Sequence, residues 1–313
     1  MARLIFTRLL AAIPVMLVVA TFVFLLLRLS PGDPAIVIAG EHASQQQIES
    51  VRMALGLDQS LVVQYVLWMS QMASGDFGNS VLSRQPVLSL IADRLEPTLV
   101  LATVTIILTV LLAVPMGAIA AWNRDGWRDR VVMTFAVIGF SVPSFVIGYT
   151  LVLLLAINAK LLPVQGYVSP FADPWGSLRH VILPAITLSI VFMALISRVT
   201  RASILEILGE DFIRTARAKG GHEKRILWKH ALPNAAVSIV TVIGLGIATL
   251  ISGVVVTESV FNIPGLGRLT IDAIQGRDYP VVQGLILVFS FVYVLINLTI
   301  DIIYLIVDPR IRY

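Results

Sequence analysis

The sequence contains no cysteine and little charge for its length. Because none of its 313 residues is cysteine, a disulfide framework, a thiolate nucleophile and a cysteine-ligated metal site are all excluded. Charged residues make up 13% of the chain, against about 25% in soluble domains. Apolar residues make up 57% and the mean hydropathy is +0.89, which excludes an intrinsically disordered chain. The composition therefore predicts a polytopic membrane protein.

The sequence also lacks the short motifs of several enzyme classes. No G-x-x-x-x-G-K-[ST] motif is present to hold nucleotide phosphates, and neither HExxH nor an EF-hand pattern occurs. The four histidines are not clustered at metal-ligand spacing; they are His42, His180, His222 and His230. We therefore expect no ATP hydrolysis by this chain and no metal site.

Six apolar runs are each long enough to cross a bilayer, which takes roughly 20 residues of helix. They span residues 9–27, 99–121, 131–157, 181–197, 235–257 and 281–307. The first run is longer than the apolar core of a signal peptide and no cleavage pattern follows it, so we expect a retained helix. Four prolines are predicted to kink or end helical segments, for packing or for gating: Pro14, Pro115, Pro143 and Pro184.

The distribution of lysine and arginine predicts the orientation. If the N-terminus is cytoplasmic, the inside segments hold 15 of the 23 basic residues. The outside segment 30–97 then has a net charge of −4, and the inside segment 198–235 has a net charge of +4. Both termini are therefore predicted to be cytoplasmic.

These spans divide the chain into a first transmembrane helix at 1–29, an external layer at 30–97 and a five-helix core at 98–313. In the external layer, a Pro-Gly-Asp-Pro turn at 31–34 ends the first helix. Ser44 and Gln47 form a capping-box pattern for a helix through Ala54. A second short helix is predicted at 61–72. The layer is thus expected to be helical.

The inside loop 198–235 contains a short amphipathic segment from Asp211 to Lys219 that is acidic at its start and basic at its end. Gly220 and Gly221 are predicted to stop this helix, and a further helical piece at 222–231 leads to Pro233. A short helix of this kind could dock into a groove of another protein. The alternative is an ordinary basic loop lying on anionic lipid.

Ionisable residues inside the membrane are candidates for function. Glu258 is near the outer end of the fifth span, and Asp301 is in the inner half of the sixth. Asn297, Asp301, Tyr304 and Asp308 are spaced along one helix face. Glu258, Asn297 and Asp301 are therefore expected either on a polar stripe that faces a path or a partner chain, or in a hydrogen-bonded seam between helices.

The loop resembles the cytoplasmic signature of permease subunits of binding-protein-dependent ABC importers. That signature is E-A-A, three residues, G, nine residues and I-x-L-P. The corresponding positions are Arg214-Thr215-Ala216, Gly220 and His230-Ala231-Leu232-Pro233. The departures at Arg214, Thr215 and His230 are similar to the dipeptide, oligopeptide and nickel branch of the family.

Eight further motifs of that branch occur in order along the chain: RLSPGDPA at 28–35, LGLDQ at 55–59, GDFGNS at 75–80, SVPSF at 141–145, ILPAITL at 182–188, PGLGRL at 264–269, RDYPVVQG at 277–284 and DPRIRY at 308–313. The resemblance covers nearly the whole chain. It implies an all-α integral membrane fold of six transmembrane helices, with a cytoplasmic coupling helix and a small external helical layer after helix 1.

The resemblance also implies partners and roles. A second homologous permease would complete the path, two ATP-binding subunits would hold ATP and Mg²⁺, and an external solute-binding protein would deliver cargo at a bacterial inner membrane. Membrane lipid is expected as a further partner, nucleic acid is not, and no cofactor is expected in this chain. The residues expected to couple the chain to the ATPase subunits are Asp211, Arg214, Thr215, Ala216, Lys219, Gly220, Leu232 and Pro233.

Within that branch the leading cargo is a di- or oligopeptide, with a nickel chelate or glutathione as alternatives. An ion-coupled secondary transporter is the alternative from another class. Such a transporter would be expected to have charged relays or broken helices near the bilayer midplane. The first four spans contain essentially no interior charge, which favours the importer permease.

Overall fold

The computed structural model describes residues 2–29, 35–36, 43–54 and 56–307. Most of these residues are helical, and no strand occurs among them, so the all-α prediction is confirmed. The predicted turn at 31–34, together with Asp308 and the two arginines near the C-terminus, lies outside the described residues.

We label the helices in chain order. They are α1 (Ala2–Leu29), α2 (Gln45–Ala54), α3 (Leu61–Ala73), α4 (Val87–Trp122), α5 (Trp127–Ser141), α6 (Ser144–Leu151), α7 (Pro174–Leu208), α8 (Asp211–Ala218), α9 (Glu223–Arg225), α10 (Leu232–Val260), α11 (Leu266–Gln275) and α12 (Tyr279–Val307). Two π-helical segments continue α6 and α9, at Val152–Asn158 and Ile226–Ala231.

Five helical stretches of the described chain are long and apolar enough to cross a membrane, and a bent pair brings the number to six if it is one span. The five are Phe6–Leu25, Val87–Trp122, Pro174–Leu208, Glu223–Val260 and Tyr279–Tyr304, and the pair is Trp127–Ser141 with Ser144–Asn158. The predicted third span at 131–157 is therefore not one straight helix, since its halves are bent by 105°.

The bend of the third span lies at Pro143. Val142 is extended, with φ −90° and ψ 126°, because a proline disfavours helical geometry in the residue before it. Pro143 then occupies the N-cap position of α6. The other prolines singled out in the sequence, Pro14, Pro115 and Pro184, lie inside continuous helices.

The chain forms two compact units, which are described separately. One comprises residues 1–95 and 269–294, and the other comprises 96–268 and 295–313. This division by packing is different from the predicted division by membrane topology (1–29, 30–97 and 98–313), which stays a prediction.

The first unit contains the short helices α2 and α3. The capping box of α2 is reciprocal: the Ser44 backbone N–H donates to Gln47 Oε1 at 2.8 Å, and the Gln47 N–H donates to Ser44 Oγ at 3.3 Å. α3 packs against α1, where the hydroxyls of Tyr65 and Thr21 are 2.8 Å apart. The ring of Tyr65 meets that of buried Phe24 edge-on, with centroids 5.3 Å apart.

A buried carboxylate also fixes a loop of the first unit. Asp278, 2% exposed, accepts a hydrogen bond from the Ser80 hydroxyl and one from the Val81 backbone N–H at 3.1 Å. The loop that precedes α4 is thereby attached to the residue that precedes α12.

The second unit is built around α7. Two-thirds of the most apolar stretch of α7 is buried, as expected for a helix that is apolar on all sides. Its core combines buried residues of α4, α6 with its π-segment, α7 and α10, among them Leu101, Val152, Leu183, Leu188, Phe192 and Leu250.

Gly117 of α4 marks the closest approach of α4 to α7. A Cβ atom at this position would lie 2.5 Å from the Ser197 carbonyl oxygen and 2.6 Å from Thr200 Cβ. Small residues allow this kind of backbone approach between membrane helices.

We therefore expect Gly117→Ala to separate α4 from α7. Overpacking of this kind typically costs about 1–3 kcal/mol of stability, so the melting temperature of the detergent-solubilised protein should fall. Gly246→Ala is the matched control, because a Cβ there meets nothing closer than 3.6 Å. Equal melting temperatures for the two variants would contradict the close approach.

Candidate functional site

The predicted amphipathic segment is helical from Asp211 to Ala218, as α8. Ile213 is fully buried and anchors one face of the helix, whereas Phe212 is 43% exposed. Arg214 pairs with Asp211 at 3.1 Å, and the Thr215 hydroxyl donates to the Asp211 carbonyl at 3.0 Å. α8 therefore presents an exposed face with an aromatic side chain.

α8 ends in a Schellman motif made by its two glycines. The Gly220 N–H donates to the Arg217 carbonyl at 2.9 Å, and the Gly221 N–H donates to the Ala216 carbonyl at 3.0 Å. Lys219 is the C-cap residue. Gly220 has φ +76°, a conformation that most side chains disfavour. A Cβ at Gly221 would lie 2.8 Å from the Ala216 carbonyl oxygen, so each glycine is required for a different reason.

The chain then returns to a long helix through α9 and a π-helical segment, Ile226–Ala231. Pro233 lies at the start of α10. Proline has no N–H to donate, and its ring would collide with the carbonyl four residues before it. The wider π-turn, in which the Leu232 N–H donates to the Leu227 carbonyl, accommodates this proline.

A groove of about 380 Å³ lies between α8 and the π-segment, and we call it the α8 groove. Its lining residues are Phe212, Thr215, Ala216, Lys219, Gly221, Arg225, Ile226, Lys229 and His230. None of the ion pairs among the described residues involves its basic side chains. The groove is therefore basic, and Phe212 and the small side chain of Ala216 are part of its wall.

Beneath this region, one apolar cluster joins four elements of the second unit. It contains Ala118 and Ala121 of α4, Ile204 of α7, Leu227 and Ala231 of the π-segment, and Ala235 and Ile239 of α10. Leu232 packs against the same cluster. Of the predicted coupling residues, Thr215, Ala216 and Lys219 line the α8 groove, Leu232 packs against this cluster, and Pro233 follows it in the chain.

An ion pair in the same unit was not predicted. Asp129 of α5 is 5% exposed, and its two carboxylate oxygens accept from Arg201 Nε at 2.5 Å and Arg201 Nη2 at 2.6 Å. Asp129 also accepts from the Asp125 backbone N–H at 3.0 Å. In the sequence these two residues count only toward the charge distribution, because no local pattern indicates a contact between residues 72 positions apart.

Glu258 lies near the C-terminal end of α10 and is fully buried. One of its oxygens accepts from the Thr98 hydroxyl at 2.6 Å, and the other accepts from the Arg268 backbone N–H at 3.1 Å. The Thr98 oxygen in turn accepts from the Leu266 N–H at 2.8 Å. The carboxylate therefore holds the start of α11 against α4.

The glycines of the PGLGRL motif are explained by this carboxylate. A Cβ at Gly265 would collide with the Glu258 carboxylate, and one at Gly267 would lie 2.5 Å from Val255 Cα. The motif is therefore a close turn over α10 and Glu258.

Asn297 and Asp301 lie one turn apart on α12. The neighbouring Tyr304 hydroxyl donates to Thr241 of α10 at 2.8 Å. Thr241 and Glu258 are both on α10 but about 25 Å apart along its axis, at 1.5 Å per residue. Tyr304 therefore contacts α10 far from Glu258, and a role of Glu258, Asn297 and Asp301 in a translocation path stays a prediction.

A further contact missed in the sequence joins Tyr167 to α4. The Tyr167 hydroxyl donates to Glu96 at 2.8 Å. Burial, with the neighbouring carboxylate, raises the pKa of Tyr167 well above its ordinary value. The phenol therefore stays a hydrogen-bond donor across the physiological pH range.

Replacing Glu258 tests the turn over α10. In Glu258→Ala two partly buried donors lose an acceptor, at up to about 1–3 kcal/mol each, so we expect a lower melting temperature in detergent. Glu258→Gln retains one carbonyl oxygen, so its melting temperature should lie between those of the unmodified protein and Glu258→Ala. Glu206→Ala, which removes an exposed carboxylate, is the control, and a Glu258→Ala protein as stable as that control would contradict the analysis.

Comparison with known families matches the chain in two successive parts. Residues 1–102 match the N-terminal part of the membrane component of binding-protein-dependent transport systems. Residues 113–313 match the inner membrane component of binding-protein-dependent transport systems. Between them, the two matches span nearly the whole sequence.

Relatives of the same length are similar from end to end. A probable peptide ABC transporter permease of Sinorhizobium fredii is 52% identical over 98% of both chains. A putative peptide transport system permease of Brucella abortus is 47% identical over 100% of both. A glutathione transport system permease of Salmonella choleraesuis is 45% identical over 100% of both.

The fold is similar to that of a chain in an inward-facing structure of the MetNI methionine ABC transporter. The TM-score is 0.60 at 19% identity, and the match covers 71% of this chain and 97% of that one. At this identity the similarity concerns the fold alone.

Proposed function

We propose that this chain, which belongs to the family of binding-protein-dependent transport system inner membrane components, forms one half of the translocation path of a peptide importer. The resemblance deduced from the sequence motifs is confirmed, and the chain is a multi-pass membrane permease of the ABC importer class. The observation that carries the proposal is the end-to-end similarity to peptide permeases, at 52% and 47% identity.

Peptides are the proposed cargo. Two of the relatives above are named for peptide transport and one for glutathione, which is itself a tripeptide. The peptide relatives are the more similar ones, so di- or oligopeptides are the leading cargo and glutathione is the alternative. A nickel chelate has no support among these relatives.

We propose that separate ATPase subunits supply the energy for transport by hydrolysing ATP. A second permease of the same family would complete the path, a solute-binding protein would deliver cargo from outside, and two ATPase subunits would hold ATP and Mg²⁺. The α8 groove supports docking of an ATPase subunit, because it combines an exposed Phe212 with basic side chains next to a rigid helix. Residues Asp211, Arg214, Thr215, Ala216, Lys219 and Gly220 would belong to that contact, with Leu232 and Pro233 fixing the return of the chain.

The proposed location is a bacterial inner membrane with both termini in the cytoplasm. The excess of lysine and arginine in the segments on that side supports this orientation. It would place α8 where cytoplasmic ATPase subunits can bind it.

Uptake by reconstituted vesicles tests the cargo. The chain would be co-purified with its partners, and labelled dipeptides would be supplied with the binding protein. We expect uptake only with ATP and Mg²⁺ on the ATPase side, with unlabelled peptides competing more strongly than glutathione. Stronger competition by glutathione would reassign the cargo. Uptake driven by an ion gradient without ATP would contradict the importer.

Gly220 tests the coupling role of α8 in the same assay. Valine is β-branched and strongly disfavours the positive φ of this position, whereas asparagine tolerates it. Since a positive φ costs a non-glycine residue on the order of 1–3 kcal/mol, we expect Gly220→Val to reduce uptake about tenfold while the chain still inserts. Gly220→Asn should retain most activity. Normal ATP-driven uptake by Gly220→Val would contradict the assignment of α8.

A further inference from the structure

The Asp129–Arg201 pair lies between two helices whose relative position matters to the proposed function. Asp129 is on the first turn of α5, and Arg201 is on the last third of α7. Both guanidinium contacts are charge-assisted, and the two parallel bonds fix orientation as well as distance. With 5% and 23% of the two side chains exposed, solvent weakens this pair less than it weakens a surface pair.

A second close contact holds the same two helices further along. A Cβ at Gly139 of α5 would lie 3.2 Å from the Ile190 carbonyl oxygen and 3.4 Å from Ala194 Cβ. Asp129 and Gly139 are about 15 Å apart along α5. α5 is thus held to α7 at both ends, and rotation of one helix against the other would break one of the contacts.

α7 is also joined to α8 by a connection of two residues whose backbone is hydrogen-bonded. Gly209 and Glu210 are the intervening residues, and their N–H groups donate to the carbonyls of Glu206 and Ile207 at 3.0 and 3.1 Å. The Arg214 N–H in turn donates to the Glu210 carbonyl at 3.3 Å. A displacement of α8 must therefore move the end of α7 that contains Arg201.

We infer that Asp129 and Arg201 are a positioning pair that transmits movement of α8 through α7 to α5. This inference rests on the proposed function, in which an ATPase subunit displaces α8. α5 is the first half of the span that bends by 105° at Pro143, so the pair connects the docking helix to a broken span.

A pair that only stabilised the fold would have a different consequence. Its loss would lower the amount of assembled complex, but each complex that assembled would transport the usual number of peptides per ATP hydrolysed. Loss of a transmitting pair changes that ratio, because ATP hydrolysis continues while the span no longer follows α8.

Arg201→Lys is the variant of choice. Lysine keeps the positive charge, so Asp129 is not left uncompensated, but it cannot make two parallel bonds. Asp129→Asn is the second variant, and it keeps an acceptor for the Asp125 N–H. The matched control is Arg124→Lys, because Arg124 pairs with Asp125 at 3.5 Å in the turn before α5, with both side chains exposed.

The measurement is peptide uptake and ATP hydrolysis by equal amounts of reconstituted complex. We expect Arg201→Lys to lower the number of peptides per ATP by about tenfold, the factor that corresponds to loss of one charge-assisted hydrogen bond. Asp129→Asn should lower it at least as far, and Arg124→Lys should leave it unchanged. Unchanged ratios in both Arg201→Lys and Asp129→Asn would overturn the inference. Should the unmodified complex fail to hydrolyse ATP during uptake, the proposed function itself would be wrong, which is a distinguishable result.

Discussion

The structure depends on one constraint: a carboxylate buried in an apolar helical protein must have its donors beside it. Transfer of an unpaired charge into such an interior is prohibitively costly. Asp129 satisfies the constraint with a guanidinium, whereas Glu258 and Asp278 each satisfy it with a hydroxyl and a backbone N–H. Each carboxylate thereby fixes a segment that apolar packing alone would leave free to slide.

Close helix packing works together with these polar contacts. Gly117 and Gly139 allow α4 and α5 to approach α7, and in a membrane such contacts replace the hydrophobic driving force that water supplies elsewhere. α7 is therefore a rigid central element of its unit. Because it leads into α8 through a short hydrogen-bonded connection, the groove beside α8 is attached to the core instead of lying on a loose loop.

Features encoded locally could be predicted from the sequence. The capping box at Ser44, the start of α8 at Asp211 and its end at Gly220 all depend on residues within one or two turns. Proline at position 143 could be singled out, but so could three others. The break occurs there, while the helices around Pro14, Pro115 and Pro184 continue.

Contacts between distant residues could not be predicted. Glu258 appeared in the sequence as a charge in a membrane span, and its partner Thr98 is 160 positions away. The same holds for Asp129 and Arg201, 72 positions apart. The glycines of the PGLGRL motif are the one local feature that indicates the close turn over α10, because a Cβ at either glycine would meet Glu258 or the α10 backbone.

The central claim is that this permease works in a complex whose ATPases act through α8. The most direct measurement is purification of the chain from its native membrane in mild detergent, with mass spectrometry of every protein that accompanies it. We predict recovery of a second permease of the same family together with ATPase subunits that contain the phosphate-binding motif. Recovery of this chain alone, as a stable homo-oligomer, would contradict the account.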